Sequence, residues 1–259
     1  MRMMKKVLGT VTVLALSVSL LAGCGSTAAS PVSSAASTAA ESTTSSVASE
    51  TTSAAADENA AAAAQLLNDL TGSYQELWPV ILADEYQQTW LDDCTALVGE
   101  ENAEAAFEKL SSMVTGDVYG EDAVKAYANG GGAYFCGFTN NLATLTFDGK
   151  TSTISGTDKD GNALFSHTYH YIGMEPVRGL YEFESDDTDS GEFTYFFLAP
   201  DTSAETYHIE FRYGSDADAL SQYDAGDYAY WVASGISTDC DQTMIDNCIE
   251  LFCTENLAG

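Results

Sequence analysis

Three histidines are all the imidazole that this chain of 259 residues carries. One of them sits in Thr206-Tyr207-His208-Ile209-Glu210-Phe211-Arg212-Tyr213, a run that reads as an aromatic strand. With strand geometry Tyr207, Ile209, Phe211 and Tyr213 point one way, and His208, Glu210 and Arg212 point the other. Residues i and i+2 on one face lie about 7 Å apart at Cα, so an imidazole nitrogen and a carboxylate oxygen can converge on one small cation. Zinc accepts that nitrogen and oxygen set at about 2.0–2.2 Å. The same pattern also describes two polar residues on the wet face of an amphipathic strand, and spacing alone does not separate the two.

The other two histidines share Ser166-His167-Thr168-Tyr169-His170-Tyr171. They differ by three positions, so on a strand they face opposite sides and only one could join a shared site. His167 keeps company with Phe165, Tyr169 and Tyr171; His170 with Thr168 and Ile172. Histidine scarcity and this facing make His167 the candidate third ligand beside His208 and Glu210, with water or a carboxylate completing a tetrahedron. Two acidic loops, around Asp158-Lys159-Asp160-Gly161-Asn162 and Glu184 to Glu192, invite a calcium reading. The first has its glycine misplaced for an EF-hand and Tyr169 where the loop needs its final Glu; both read as solvated hairpin tips. No G-x-S-x-G, phosphate loop or H-E-x-x-H occurs, and no general base accompanies the candidate pair. The reading is of a binding protein, not an enzyme.

The chain opens on a basic start (Arg2, Lys5, Lys6), an apolar run from Val7 to Leu21, and Leu21-Ala22-Gly23-Cys24. That is a secretory leader, too short for a confident membrane span. Its ending resembles the lipobox of bacterial lipoproteins, which implies cleavage after residue 23 and lipidation of Cys24. Residues 24–56 are then a lipidated cysteine and a Ser/Thr/Ala tether with too little to bury to offset its ordering; as a coil it reaches roughly 30 Å. The net charge of −30 repels nucleic acid and anionic headgroups. The expected location is the extracytoplasmic face of a bacterial cell membrane, held by a lipid anchor. Five cysteines remain after Cys24: Cys94, Cys136, Cys240, Cys248 and Cys253. The odd number leaves at least one thiol unpaired, and with no C-x-x-C most read as small buried hydrophobes.

The folded part is expected over residues 57–259. Its first half is helical: apolar residues recur at helical spacing in segments that stop at Gly72, Gly99, Gly116 and Gly130. The second half turns to period two, with seven strand-like runs from Ala133 to Gly214 separated by turns such as Asp148-Gly149 and Asp160-Gly161. Short connections imply antiparallel hairpins, and closure into an up-and-down barrel would remove exposed edges. A last helix follows around Met244 to Phe252. The class is α+β.

The order of motifs resembles the ZinT/YodA-like zinc- and cadmium-binding family. Gly72 to Ile81 (GSYQELWPVI), the strand pair leading to Ala199-Pro200, and Thr206 to Asp216 followed by the aromatic segment near Tyr228 carry the likeness, over about Leu70 to Leu251. The resemblance implies a lipocalin-like (calycin) barrel with N-terminal helices and a C-terminal helix. It also implies a three-histidine zinc site, delivery of zinc to an ABC importer, and zinc capture or buffering. Carried over, the first histidine of the family's His-x-His falls on His208 and the second on Glu210. The family's other histidine falls on Phe196, which cannot ligate. The alternative is a lipocalin-like module that binds a small apolar ligand and has lost the metal.

Overall fold

The computed structural model describes residues 58–128 and 131–258; the leader, Cys24 and the tether lie outside them. Helix α1 (residues 58–69) leads into strand β1 (Gly72–Glu76), then helices α2 (Trp78–Ile81), α3 (Gln87–Val98), α4 (Ala103–Val114) and α5 (Glu121–Ala126). Strands β2 (Thr144–Asp148), β3 (Thr153–Thr157), β4 (Ala163–Met174), β5 (Tyr181–Ser185) and β6 (Tyr195–Leu198) follow. Helix α6 (Ser203–Thr206), β7 (Ile209–Gly214), α7 (Ala217–Leu220), β8 (Ala233–Ser237) and α8 (Gln242–Leu257) complete the chain. The strands form one closed antiparallel barrel in sequence order, β1 pairing with β8 to close it. This is a lipocalin-like barrel with helical additions. No helix among the described residues is long and apolar enough to cross a membrane.

The barrel has eight strands, and two of them differ from the period-two reading. Ala133 to Thr139 is not a strand; Phe135 only bridges Thr115 and Trp231. Instead β1 and β8 supply the closing pair, with Gln75 opposite Ile236. Both are weak strand sequences. β8 (Ala-Ser-Gly-Ile-Ser) is buried on both faces over its first four residues, so it lacks alternation, and its small residues let neighbours approach. A Cβ on Gly235 would sit 3.1 Å from Ile209 and 3.4 Å from Tyr74.

Two apolar clusters lie on the two sides of the barrel wall. Inside are Phe147, Phe165, Tyr169, Phe183, Phe196, Phe211, Tyr213 and Trp231, with α1 adding Leu66, Leu67 and Leu70. Outside, β8 and α2, α3, α4 and α8 bury Trp78, Ile81, Trp90, Cys94, Leu110, Ile236, Ile245, Ile249 and Cys253. Each large apolar side chain fully buried this way contributes about 1.5–3 kcal/mol. Trp90 fixes α3 to α2 by donating its indole N–H to the carbonyl of Ile81 at 2.7 Å. Helix α8 begins at Asp241, whose carboxylate accepts from Met244 N at 2.9 Å, an N-cap contributing about 1 kcal/mol. Gly149 lets α1 lie on the β2–β3 turn, since a Cβ there would fall 2.4 Å from backbone atoms of Leu67 and Asn68.

Candidate metal centre

The approach to β7 is built by α6. Thr202 and Glu205 form a reciprocal capping box at its start, the pairing that satisfies two of the orphan donors of a helix N-terminus. Tyr207 ends it in the left-handed region at φ 64°, a conformation that disfavours a non-glycine residue by about 1–2 kcal/mol. This reversal delivers His208 just ahead of β7. The His208 imidazole Nδ1 lies 2.7 Å from the carbonyl oxygen of Thr206. That contact requires Nδ1 to carry the proton, which leaves the Nε2 lone pair available, the arrangement typical of a metal-ligating histidine. The ring also lies beside Cys248 of α8, Nδ1 to Sγ 3.8 Å, and so stands on the outer side of the barrel wall. Glu210 shares that side by strand alternation and is exposed.

Two carboxylates join this pair through the fold. Partial burial, then the charges of Glu210 and Glu205, push the Asp201 carboxyl above the usual carboxylate range, and His208 partly offsets the rise. Glu255, near the end of α8, is raised by burial, then by Glu210 and Asp201, against an easing by His208. Glu210 acts on both carboxyls and Asp201 on Glu255, and His208 counters the rise at each when its ring is protonated. The sequence reading missed Asp201 and Glu255: one follows a proline in a turn, the other closes a helix far along the chain, and neither position carries a local signal.

His167 is not brought to this pair. It lies on the inner face of β4, its ring stacked 5.9 Å from Phe165, with Nδ1 2.8 Å from Asp187 Oδ2. β5 and β6 separate β4 from β7, and the barrel wall separates the two faces. The expectation that His167 completes the set with His208 and Glu210 is corrected by this facing. His170 is exposed on the outside of β4, its Nδ1 2.8 Å from Asp186 Oδ1. Asp158 at the β3–β4 tip accepts from the backbone of Asp160 and Asn162, as a hairpin-tip residue does.

Phe196 has no solvent exposure and packs among Phe165, Tyr169, Phe211 and Tyr213 at ring centroid distances of 5.4–6.4 Å. It faces inward, whereas His208 and Glu210 face outward. The three positions carried over from the family resemblance therefore do not converge on one point in this chain; the inward neighbours on β7 are Ile209 and Phe211. Among the described residues no three His, Cys, Asp or Glu side chains stand together as a ready cage. Cys24 lies outside the described residues. Elsewhere, a cavity of about 330 Å³ is lined by Glu76, Trp78, Phe135 and Cys136. Burial and the nearby Glu210 charge push the Cys136 thiol up to about 12.

No protein-family model matches the chain, and no curated protein does. Among solved structures the chain is similar to the Zn(II)-bound ZinT-like domain of Streptococcus pneumoniae AdcA, with 14% identity and a TM-score of 0.46 over 71% of this chain and 89% of that one. It is also similar to Zn(II)-bound AdcA from Streptococcus pneumoniae, with 15% identity and a TM-score of 0.42 over 72% of this chain and 35% of that one.

Proposed function

We propose that this protein is an extracytoplasmic lipoprotein, anchored through Cys24, that binds zinc and also cadmium at the outer surface of its barrel. It captures or buffers the ion for delivery to an importer, and it is not an enzyme. The observation that carries the reading is the His208 imidazole, pinned through Nδ1 to Thr206, with Glu210 on the same side of the wall. His208 would ligate through Nε2 and Glu210 through a carboxylate oxygen, a donor pair that suits zinc. Asp201 and Glu255, whose carboxyls respond to the charges of His208 and Glu210, are the further oxygen donors assigned to the ion. An open, partly solvated set of this kind exchanges its ion faster than a buried four-ligand site, which suits capture and transfer.

The full chain in detergent, stripped of metal and titrated with zinc against a chelating dye, tests the proposal. His208→Ala is expected to weaken zinc at least tenfold, and His167→Ala to leave it within twofold. Equal affinity in His208→Ala and wild type would overturn it. Phe196 favours a second reading, in which a ring stack stands where the resemblance implies a ligand and the chain holds no metal; wild type that takes up no zinc would select it. The same stack fills the barrel interior and weighs against an apolar ligand there.

A further inference from the structure

Cys94 on α3 and Cys253 on α8 bring their sulfur atoms to 3.9 Å across 159 residues of sequence. Both residues have no solvent exposure, and both helices pack through the outer apolar cluster. Cys136 points its thiol at the carbonyl of Tyr134 and Cys248 lies against His208, so those two are turned to other partners. We propose that Cys94 and Cys253 are oxidised to a disulfide that staples α3 to α8. The sulfurs are already in van der Waals contact. Reaching a bond of about 2.05 Å asks for side-chain rotation and a slight approach of the helices.

The oxidant is a disulfide, either a protein exchange catalyst or glutathione disulfide. One cysteine gives up its proton, and its thiolate attacks the oxidant. The oxidant's S–S bond breaks, a mixed disulfide forms, and one oxidant sulfur leaves as a thiol. The second cysteine thiolate then attacks the mixed disulfide and releases the other oxidant thiol. Two electrons and two protons have passed to the oxidant. Both thiols are buried in the folded chain, out of reach of an oxidant, so exchange is fastest before α8 has docked. A secreted chain meets such oxidants, so formation in the cell rests on the export reading, while the pair's ability to join does not, and neither depends on zinc. The cross-link closes a long loop, which lowers the entropy of the unfolded chain. It also ties down the end of α8, two residues from Glu255.

The full chain, reduced, unfolded and refolded in a glutathione redox buffer, is alkylated and cleaved after glutamate without reduction. Residues 86–100 are expected to be joined to residues 251–255. The oxidised protein is expected to melt about 10 °C above the reduced one, a difference absent from the Cys94→Ala/Cys253→Ala chain and kept by Cys136→Ala. Because the map is read on wild type, it does not depend on the variants folding. Recovery of the two fragments apart and alkylated, or either one joined to a different cysteine, would overturn the proposal. The same map on protein taken directly from cells separates an inability to pair from a compartment that does not oxidise.

Discussion

The carbonyl oxygen of Thr206 lies 2.7 Å from Nδ1 of His208, so a residue two positions upstream decides which imidazole nitrogen is available to an ion. A histidine whose Nδ1–H is donated to a backbone carbonyl presents Nε2 in a fixed direction. We expect nitrogen-15 NMR of the metal-free chain to show His208 as the Nδ1–H tautomer. Zinc should then move the Nε2 resonance and leave the Nδ1 proton in place. A zinc-dependent loss of that proton would place the ion on the wrong nitrogen and rule out the proposed geometry.

Asp201 and Glu255 set the pH behaviour. Their carboxyls are raised above the ordinary range, by burial first and then by neighbouring charges, Glu210 and Glu205 for Asp201 and Glu210 and Asp201 for Glu255, with His208 offsetting. A carboxyl raised in the folded state opposes folding at pH above its folded value, and that opposition disappears as pH falls through it. The metal-free protein should therefore gain thermal stability as pH falls from neutral through these raised carboxyl values, before general acid denaturation sets in. Zinc affinity should decline over the same interval, because ligands must be deprotonated. Asp201→Asn should raise the melting temperature of the metal-free chain at pH 7 by about 1–3 °C and weaken zinc. A lower melting temperature in Asp201→Asn would contradict the crowding.

Much of the barrel was legible because β2 to β5 alternate, β6 and β7 are rich in aromatic residues, and turn residues punctuate all six. What could not be read was closure. β1 and β8 are strands only because each finds the other, and residues such as Ser234 and Gly235 carry no period of their own. Likewise the facing of His208 and Glu210 followed from alternation, but the company they keep did not. His167 shares its residue type with His208, and only the wall between the inner and outer clusters shows that the two cannot meet.

Phe196 offers a direct check on that wall. Replacing it with histidine restores the residue type expected from the family resemblance, but on the inner face among Phe165, Tyr169, Phe211 and Tyr213. Phe196→His should lose about 2–4 kcal/mol of stability in urea unfolding, through lost packing and a buried polar ring. It should not tighten zinc binding at His208. A tenfold gain in zinc affinity that also requires His208 would mean that the two positions reach one ion after all.

Arg212 lies on the same side of β7 as His208 and Glu210, yet it has no solvent exposure. Its guanidinium donates to the carbonyls of Leu220, Gln222 and Tyr228 and lies 4.4 Å from the Tyr223 ring centroid, over which Arg178 also sits at 4.1 Å. Burial lowers its hold on the proton; three carbonyls and an aromatic face replace most of the water it gave up, while Nε is left without a partner. A planar fork can reach three acceptors and stack at once, which an ammonium cannot. Arg212→Lys should therefore destabilise the fold by about 2–4 kcal/mol in urea unfolding, because removing partners from buried polar groups exposes their full desolvation penalty. Arg212→Met should lose at least as much, since the carbonyls are then left without a donor. If lysine proved equivalent to arginine within about 0.5 kcal/mol, the segment from α7 to Tyr228 would have to be held by its apolar contacts through Leu220 and Tyr228 instead.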